Sequence, residues 1–417
     1  MKVVVVGSGG REHALALALG RTAEVVVTPG NPGIAGSVAT PVEELAAAGD
    51  VDLVVVGPEQ PLVDGLADRL RAAGVRVFGP GADGAQVEGS KAYLKELLVA
   101  AGVPTARYGA FDDVDAALAF LDDLDGGYVI KTDGLAAGKG VLVTTDRAEA
   151  AADVRAKLAG DAFGDAGRTV VVEELLEGPE VSVFAVCDGT RTVCLPAAQD
   201  FKRVGDGDAG PNTGGMGAWS PLPFAPDDLA EVVARDFVEP TLAELRRRGI
   251  DFRGVLYAGL MLTREGPKLI EYNCRFGDPE CQVLMMRLES DLAEFLLACA
   301  QNRLAALEPP RFSDDTAMTV VMAANGYPGT PEKGGAIHGI EQAEASGAQV
   351  FHAGTARGTD GTLVASGGRV LNVTAMAETV SEAQKKAYKA VDLIDFPSGF
   401  CRRDIGWREV ERENAGG

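Results

Sequence analysis

The sequence predicts a multidomain chain of mixed α/β and α+β class: an N-terminal open parallel α/β sheet, a central domain with a small lid, and a mostly-β C-terminal domain. Three observations lead there. Short Val-rich runs alternate with helical stretches over residues 1–89. Strands joined by a glycine-rich loop and one helix crowd into the segment around residues 128–175. Beyond a Pro-bearing link, EPPRFSD (308–314), the pattern is strand-like with one helix at 381–393. A chain of 417 residues is also too long for a single core. The expected domains are 1–89, 90–307 with a lid at about 107–177, and 308–417.

In the first domain KVVVV (2–6) runs into GSGG and the helix REHALALAL. EVVVTPG, a helix near 41–48, DLVVVGPE, a helix at 61–73 and VRVFGP follow. Apolar runs each followed by a helix mean parallel strands with crossovers. The loops GSGG, TPGNPG and GPEQ then fall at carboxyl ends of strands, where open α/β sheets bind ligands. SKAYLKELLVA reads as a helix closed by AGVP. YVIK (128–131), VLVTT and TVVVEEL are lid strands, with a helix at 147–159. EVSVFAVCD, RTVCLPAAQ, GVLYAGLMLT and KLIEYNC are longer strands, the last two joined by REGP as a hairpin.

Composition excludes several classes. The formal net charge is −22 with no block of like charge, so the surface repels nucleic acid and anionic membranes. Six Cys without a CxxC, beside only three His, argue against structural zinc and for free thiols in a reducing cytoplasm. MKVVVVGSGG is neither a signal peptide nor a membrane span.

Five stretches carry chemistry. GSGGREH (7–13) opens a helix, so its backbone N–H groups make an anion site, against the alternative of a plain glycine turn. It is not a dinucleotide fingerprint, because Glu12 stands at the sixth position and no acid follows the second strand. KTDGLAAGKG (131–140) fails the P-loop spacing and joins two strands. Such a hairpin still folds over phosphates, with Gly138 giving backbone freedom and Lys131 and Lys139 neutralising charge. VVEELLEGPEVS (171–182) is a hinge whose backbone suits an adenine edge, with Glu180 on ribose hydroxyls; a solvated acidic turn would read the same way. In LIEYNCRFGDPE (269–280), Glu271 and Asn273 share one strand face and offer hard oxygen ligands for Mg2+. Arg275 follows, placed to hold phosphoryl oxygens. AQDFKRVGDGDAGPNTGGMGA (198–218) sets Asp200, Lys202 and Arg203 before a loop whose Gly214, Gly215 and Gly217 permit close approach to a small ligand.

These pieces, in this order, resemble the ATP-grasp arrangement. The strings GSGGREHA, VVGPE, EGSKAY, DGLAAGKG, GPNTGGMGA, NCRFGDPE, VFHAGT, GGRVL and DIGWR resemble the phosphoribosylamine–glycine ligase family over nearly the whole chain. The resemblance implies that ATP, glycine and phosphoribosylamine give glycinamide ribonucleotide, ADP and phosphate through glycyl phosphate, with Mg2+ or Mn2+. It implies that Lys91 and Lys131 touch ATP phosphates, that Glu173, Glu174 and Leu176 frame the adenine, and that Glu180 holds the ribose. Glu271 and Asn273 bind the metal and Arg275 the transferred phosphoryl group. Gly9, Gly10 and Arg11 sit near the phosphoribosyl group. Asp200, Lys202, Arg203, Gly214 and Asp278 surround glycine and the acyl phosphate.

One residue departs from the family pattern: Phe201 stands where QDHKR places a histidine. The strand LYAGLML also lacks the additional metal-side acid of many ATP-grasp enzymes. The rivals are another ATP-grasp ligase or carboxylase, a NAD-dependent oxidoreductase, and a non-catalytic nucleotide-binding protein.

Overall fold

The computed structural model describes residues 1–135, 140–159 and 169–416. The strands Lys2–Gly7, Glu24–Pro29, Leu53–Val56 and Val77–Phe78 form one parallel sheet in the order second, first, third, fourth. Alternation along the first strand sends Val3 and Val5 into one core and Val4 and Val6 into another. Both faces are therefore covered, as an uninterrupted Val run requires. The single helix expected at 61–73 is two, Glu59–Val63 and Leu66–Ala72. Gly65 between them has φ 75°, a left-handed turn that a continuous helix cannot contain.

The helix Lys91–Ala101 starts where Ser90 accepts the Tyr93 N–H and stops at left-handed Gly102. The lid is an antiparallel sheet in the order Tyr108–Phe111, Val170–Glu174, Tyr128–Thr132, Val141–Thr144. Its helices Val114–Asp122 and Arg147–Leu158 close a small core of its own around Leu121, Ile130, Val154 and Val172. Behind it lies a second antiparallel sheet: Thr192–Cys194, Glu180–Asp188, Arg253–Thr263 and Gly266–Asn273. The expected hairpin at REGP joins its last two strands.

A third sheet takes strands from both sides of residue 308. Gln199–Asp200 and Gly217–Ser220 pair on to Thr316–Ala324, Arg369–Ala377 and Gln349–His352, and Gly399–Phe400 adds at one edge. The segment after 308 holds the expected helix, Val380–Val391, and two more, Ile340–Ala345 and Trp407–Gly416. Ile340–Ala345 is too short to show a period, and Trp407–Gly416 has only two large apolar residues, Trp407 and Val410, both packed on the core. Among the described residues no helix is long and apolar enough to cross a membrane.

Candidate functional site

The lid, the central sheet, the loops of the N-terminal sheet and the C-terminal segment enclose a cleft of about 1130 Å³. Nearly every ionisable side chain predicted for the site reaches it, from several different elements. Gly138 and Lys139 lie outside the described residues.

The strand Gly266–Asn273 brings Glu271 and Asn273 to the cleft and sends Tyr272 the other way, where it is buried with its hydroxyl 3.3 Å from Thr241 Oγ1. Burial works to raise the Glu271 pKa, but Lys131, Lys202 and Lys91 more than reverse it, and the net shift is downward. A carboxylate held ionised beside an amide oxygen suits a hard divalent cation that takes its other ligands from phosphate and water. The residue paired with Glu271 on the next strand is Gly259, so no side chain stands directly opposite Glu271 there. Among the described residues, no group of three or more His, Cys, Asp or Glu could hold a metal without that help.

Lys131, on lid strand Tyr128–Thr132, lies 2.9 Å from Glu173, and Lys95 reaches the other oxygen of the same carboxylate at 3.0 Å. Resemblance placed Glu173 beside the adenine; here it sits between two lysines. Lys91 donates from Nζ to the Gly134 carbonyl, and Asp133 accepts the Lys91 backbone N–H at 2.6 Å, so the glycine-rich loop is fixed at its start to the helix Lys91–Ala101. Glu174 accepts the Arg107 N–H and faces Lys268 at 3.6 Å, with Leu176 on the same cleft wall.

Lys202 is clasped by Asp200, at 3.0 Å, and by Glu180. Burial pushes the Glu180 and Asp200 carboxyls upward, and Lys202 opposes the shift in both. Beneath them Ser182 donates to Tyr257, which donates to Glu280 at 2.7 Å. Arg203 lines the cleft and donates to the Gly210 carbonyl.

Arg275 contacts Glu59 at 3.1 Å, Glu88 at 2.7 Å and Asn273 Oδ1 at 3.3 Å. Asp278 is held by Gln282 at 2.8 Å and by Arg369 at 3.3 Å. Arg369 also donates to the carbonyls of Gly214 and Asp278, both at 2.5 Å, and so pins the loop around Gly214 to the segment after the strand Gly266–Asn273. Gly215 is left-handed (φ 106°), and a Cβ there would meet Pro279 Cδ at 2.6 Å.

The loop GSGGREH sits deeper than the sequence implied. Arg11 lines the cleft, whereas Gly10 and Gly215 are buried and Gly9 is half-buried. The Gly9 N–H donates to Glu12 at 2.6 Å, and Arg11 pairs with the other oxygen of that carboxylate. Gly10 is required by packing: a Cβ would fall 2.3 Å from Asn372 Nδ2 and 2.7 Å from Gln282 Nε2.

Sequence reasoning missed Lys95, Glu59, Glu88, Tyr257, Glu280 and Arg369. Glu88 lies within EGSKAY and Arg369 within GGRVL, strings that carry the resemblance as wholes but not residue by residue, and Lys95 lies just beyond the first, on the helix SKAYLKELLVA. Phe201 is buried, with the Arg402 guanidinium 5.0 Å from its ring centre. Arg402 in turn pairs with Asp208 and Asp404 and donates to the Arg203 carbonyl.

Three family models cover most of the chain: Phosphoribosylglycinamide synthetase, N domain, at residues 1–88; its ATP-grasp (A) domain at 89–281; and its C domain at 317–408. Phosphoribosylamine–glycine ligase of Mesorhizobium japonicum is 54% identical, with all of both chains covered. That of Escherichia coli K12 is 48% identical over 99% of this chain and 100% of its own. The crystal structure of phosphoribosylamine–glycine ligase from Thermotoga maritima superposes with a TM-score of 0.84 at 35% identity, covering 97% of this chain and 100% of that one. A biotin carboxylase from Campylobacter jejuni shares the fold, with a TM-score of 0.69 at 15% identity over 95% of this chain and 92% of its own.

Proposed function

The chain belongs to the phosphoribosylglycinamide synthetase family, and on that premise we propose that it joins glycine to 5-phosphoribosylamine, giving glycinamide ribonucleotide, ADP and phosphate in de novo purine biosynthesis. A glycine carboxylate oxygen attacks the γ-phosphorus of ATP, and ADP leaves. The amine of phosphoribosylamine then attacks the carbonyl of glycyl phosphate, and phosphate leaves with the shared oxygen. Neither step needs an enzyme nucleophile; both need positioning and charge neutralisation.

In this reading Lys91 and Lys131, with Lys139 of the same loop, meet the ATP phosphates. Glu174 and Leu176 border the adenine, and Glu180 turns from Lys202 to the ribose when nucleotide enters. Glu271 and Asn273 hold Mg2+ or Mn2+, which supplies charge stabilisation at the transferring phosphoryl group. Arg275 exchanges Glu59 for a phosphoryl oxygen. Asp200, Lys202, Arg203, Gly214 and Asp278 form the place for glycine and its acyl phosphate. Arg11, with Gly9 and Gly10 shaping the helix start behind it, faces the phosphoribosyl group. The lid keeps water from the acyl phosphate. Six unpaired cysteines fit a cytoplasmic setting.

The observation that carries this reading is the meeting of Lys131, Lys202, Glu271, Asn273 and Arg275 in one cleft. A coupled assay of ADP release tests it, with glycine, phosphoribosylamine and the divalent cation omitted in turn. Sustained release of ADP over many turnovers should need all of them. Release driven by bicarbonate without glycine would assign the chain to carboxylation.

A further inference from the structure

We propose that Lys95 is a positioning residue for the nucleotide phosphates, acting through Glu173 on Lys131. The proposal rests on the ATP site described above. Lys95, Glu173 and Lys131 are 1%, 2% and 4% exposed, so three charges share one dry space. Their sum is one surplus positive charge. Burying an unpaired charge is costly unless something compensates it. Glu271 is close enough to contribute, but a metal ion on Glu271 cancels that contribution. Glu180 also acts on Lys131 but pairs with Lys202, so the anion that can meet the Lys131 ammonium directly is the phosphate chain of a bound nucleotide.

The geometry gives each member one task. Glu173 Oε2 receives Lys95 at 3.0 Å as a hydrogen bond. Glu173 Oε1 lies 2.9 Å from Lys131 Nζ, and Lys131 also donates to the Ile270 carbonyl at 3.5 Å, so one of its three N–H groups is left for another acceptor. Lys95 also donates to Thr105 Oγ1 at 2.7 Å, and Thr105 donates to the Leu269 carbonyl at 2.7 Å. Leu269 is two residues before Glu271 on the same strand. One ammonium thus ties the lid strand that bears Glu173 to the strand that bears the metal ligands. Without Lys95, Glu173 would neutralise Lys131 and draw it away from the phosphates.

A charge-balance cycle on the full-length protein tests this, reading Mg-ATP affinity by calorimetry, KM for ATP, kcat and melting temperature. Lys95→Met should weaken ATP binding about tenfold, the size of one charge-assisted contact, with a smaller change in kcat at saturating ATP. The double variant Lys95→Met/Glu173→Gln restores a single surplus charge at Lys131. It should recover affinity to within about threefold of the parent. A purely architectural Lys95 predicts the reverse: the double variant would bind ATP no better than Lys95→Met, and that result overturns the proposal. If Lys95→Met does not fold, Lys95→Gln keeps a donor for Thr105 and removes the charge, and the same comparison applies. Lys131→Met serves as the reference. Unchanged ATP binding in Lys131→Met would remove the ATP-site reading itself. Weak binding in Lys131→Met beside parental binding in Lys95→Met would remove only the positioning role.

Discussion

Acid should loosen the joint between the N-terminal and C-terminal parts of the cleft, and the size of the effect follows from two histidines. His13, on the first helix, accepts the backbone N–H of His352 at Nδ1, at 2.9 Å. Its ring stands edge-on to Phe351. Asn31 donates to the His352 carbonyl at 3.1 Å and to that of Ser8 at 2.8 Å, closing the same joint. Burial lowers the pKa of His13 from 6.5 to about 4, with a smaller push from His352. Burial lowers His352 likewise to about 4, with Arg357 adding to it. The unfolded chain therefore binds more protons than the folded one between pH 6.5 and 4. Stability contributed by the neutral rings is complete above pH 6.5 and lost as pH falls through that window. For one ring the loss at pH 4.5 is about 2.5 kcal/mol. The perturbation that isolates it is His13→Asn, whose Oδ1 takes the place of Nδ1 as acceptor and does not titrate. Denaturant unfolding at pH 7.0 and 4.5 should show wild type losing about 2 kcal/mol more than the variant. Equal losses would refute a neutral acceptor His13 at this joint.

Four further outcomes follow from the cleft and from the contacts behind Phe201. Glu271→Gln should lower ligase activity about a hundredfold or more and leave the melting temperature almost unchanged; near-normal turnover with the usual metal dependence would remove Glu271 from the metal site. Arg402→Met should cost about 2–3 kcal/mol, below the range for fully buried pairs because Asp208 keeps Arg408 and Asp404 keeps the Gly207 N–H. Phe201→His keeps a ring against Arg402 and should stay within about 1 kcal/mol of the parent in urea unfolding; a larger loss would show that the ring stack is not what the position needs. Arg369→Met releases the Gly214 carbonyl and should raise KM for glycine about tenfold with ATP affinity unchanged; a parallel fall in ATP affinity would mean a general loss of structure.

What the sequence made legible was local. Period-2 spacing placed Glu271 and Asn273 on one face, and Val runs between helices gave the parallel sheet, because both signals lie within a few residues. Gly65 splits a helix that the apolar pattern alone runs straight through. The ion-pair partners were not legible, because they are set by tertiary contact. Lys95 meets Glu173 from 78 residues away, and Arg369 meets Asp278 from 91. On the helix Lys91–Ala101, Lys95 looks like one more surface lysine until the lid strand covers it. The GSGGREH loop shows the same limit. Its glycines suit an anion site, and their contacts with Glu12 at Gly9 and with Asn372 at Gly10 are not visible from spacing. The effect of Phe201 became interpretable only once Arg402 lay across its ring.

The central claim is that the glycine carboxylate attacks ATP before the amide forms, and following oxygen tests it most directly. Glycine labelled with ¹⁸O in both carboxylate positions is supplied with ATP, Mg2+ and phosphoribosylamine, and the released phosphate and glycinamide ribonucleotide are weighed by mass spectrometry. Attack on the γ-phosphorus carries one labelled oxygen into phosphate and leaves the other in the amide, one of each per turnover. Unlabelled phosphate would mean that glycine is never phosphorylated on its carboxylate, and would contradict the account.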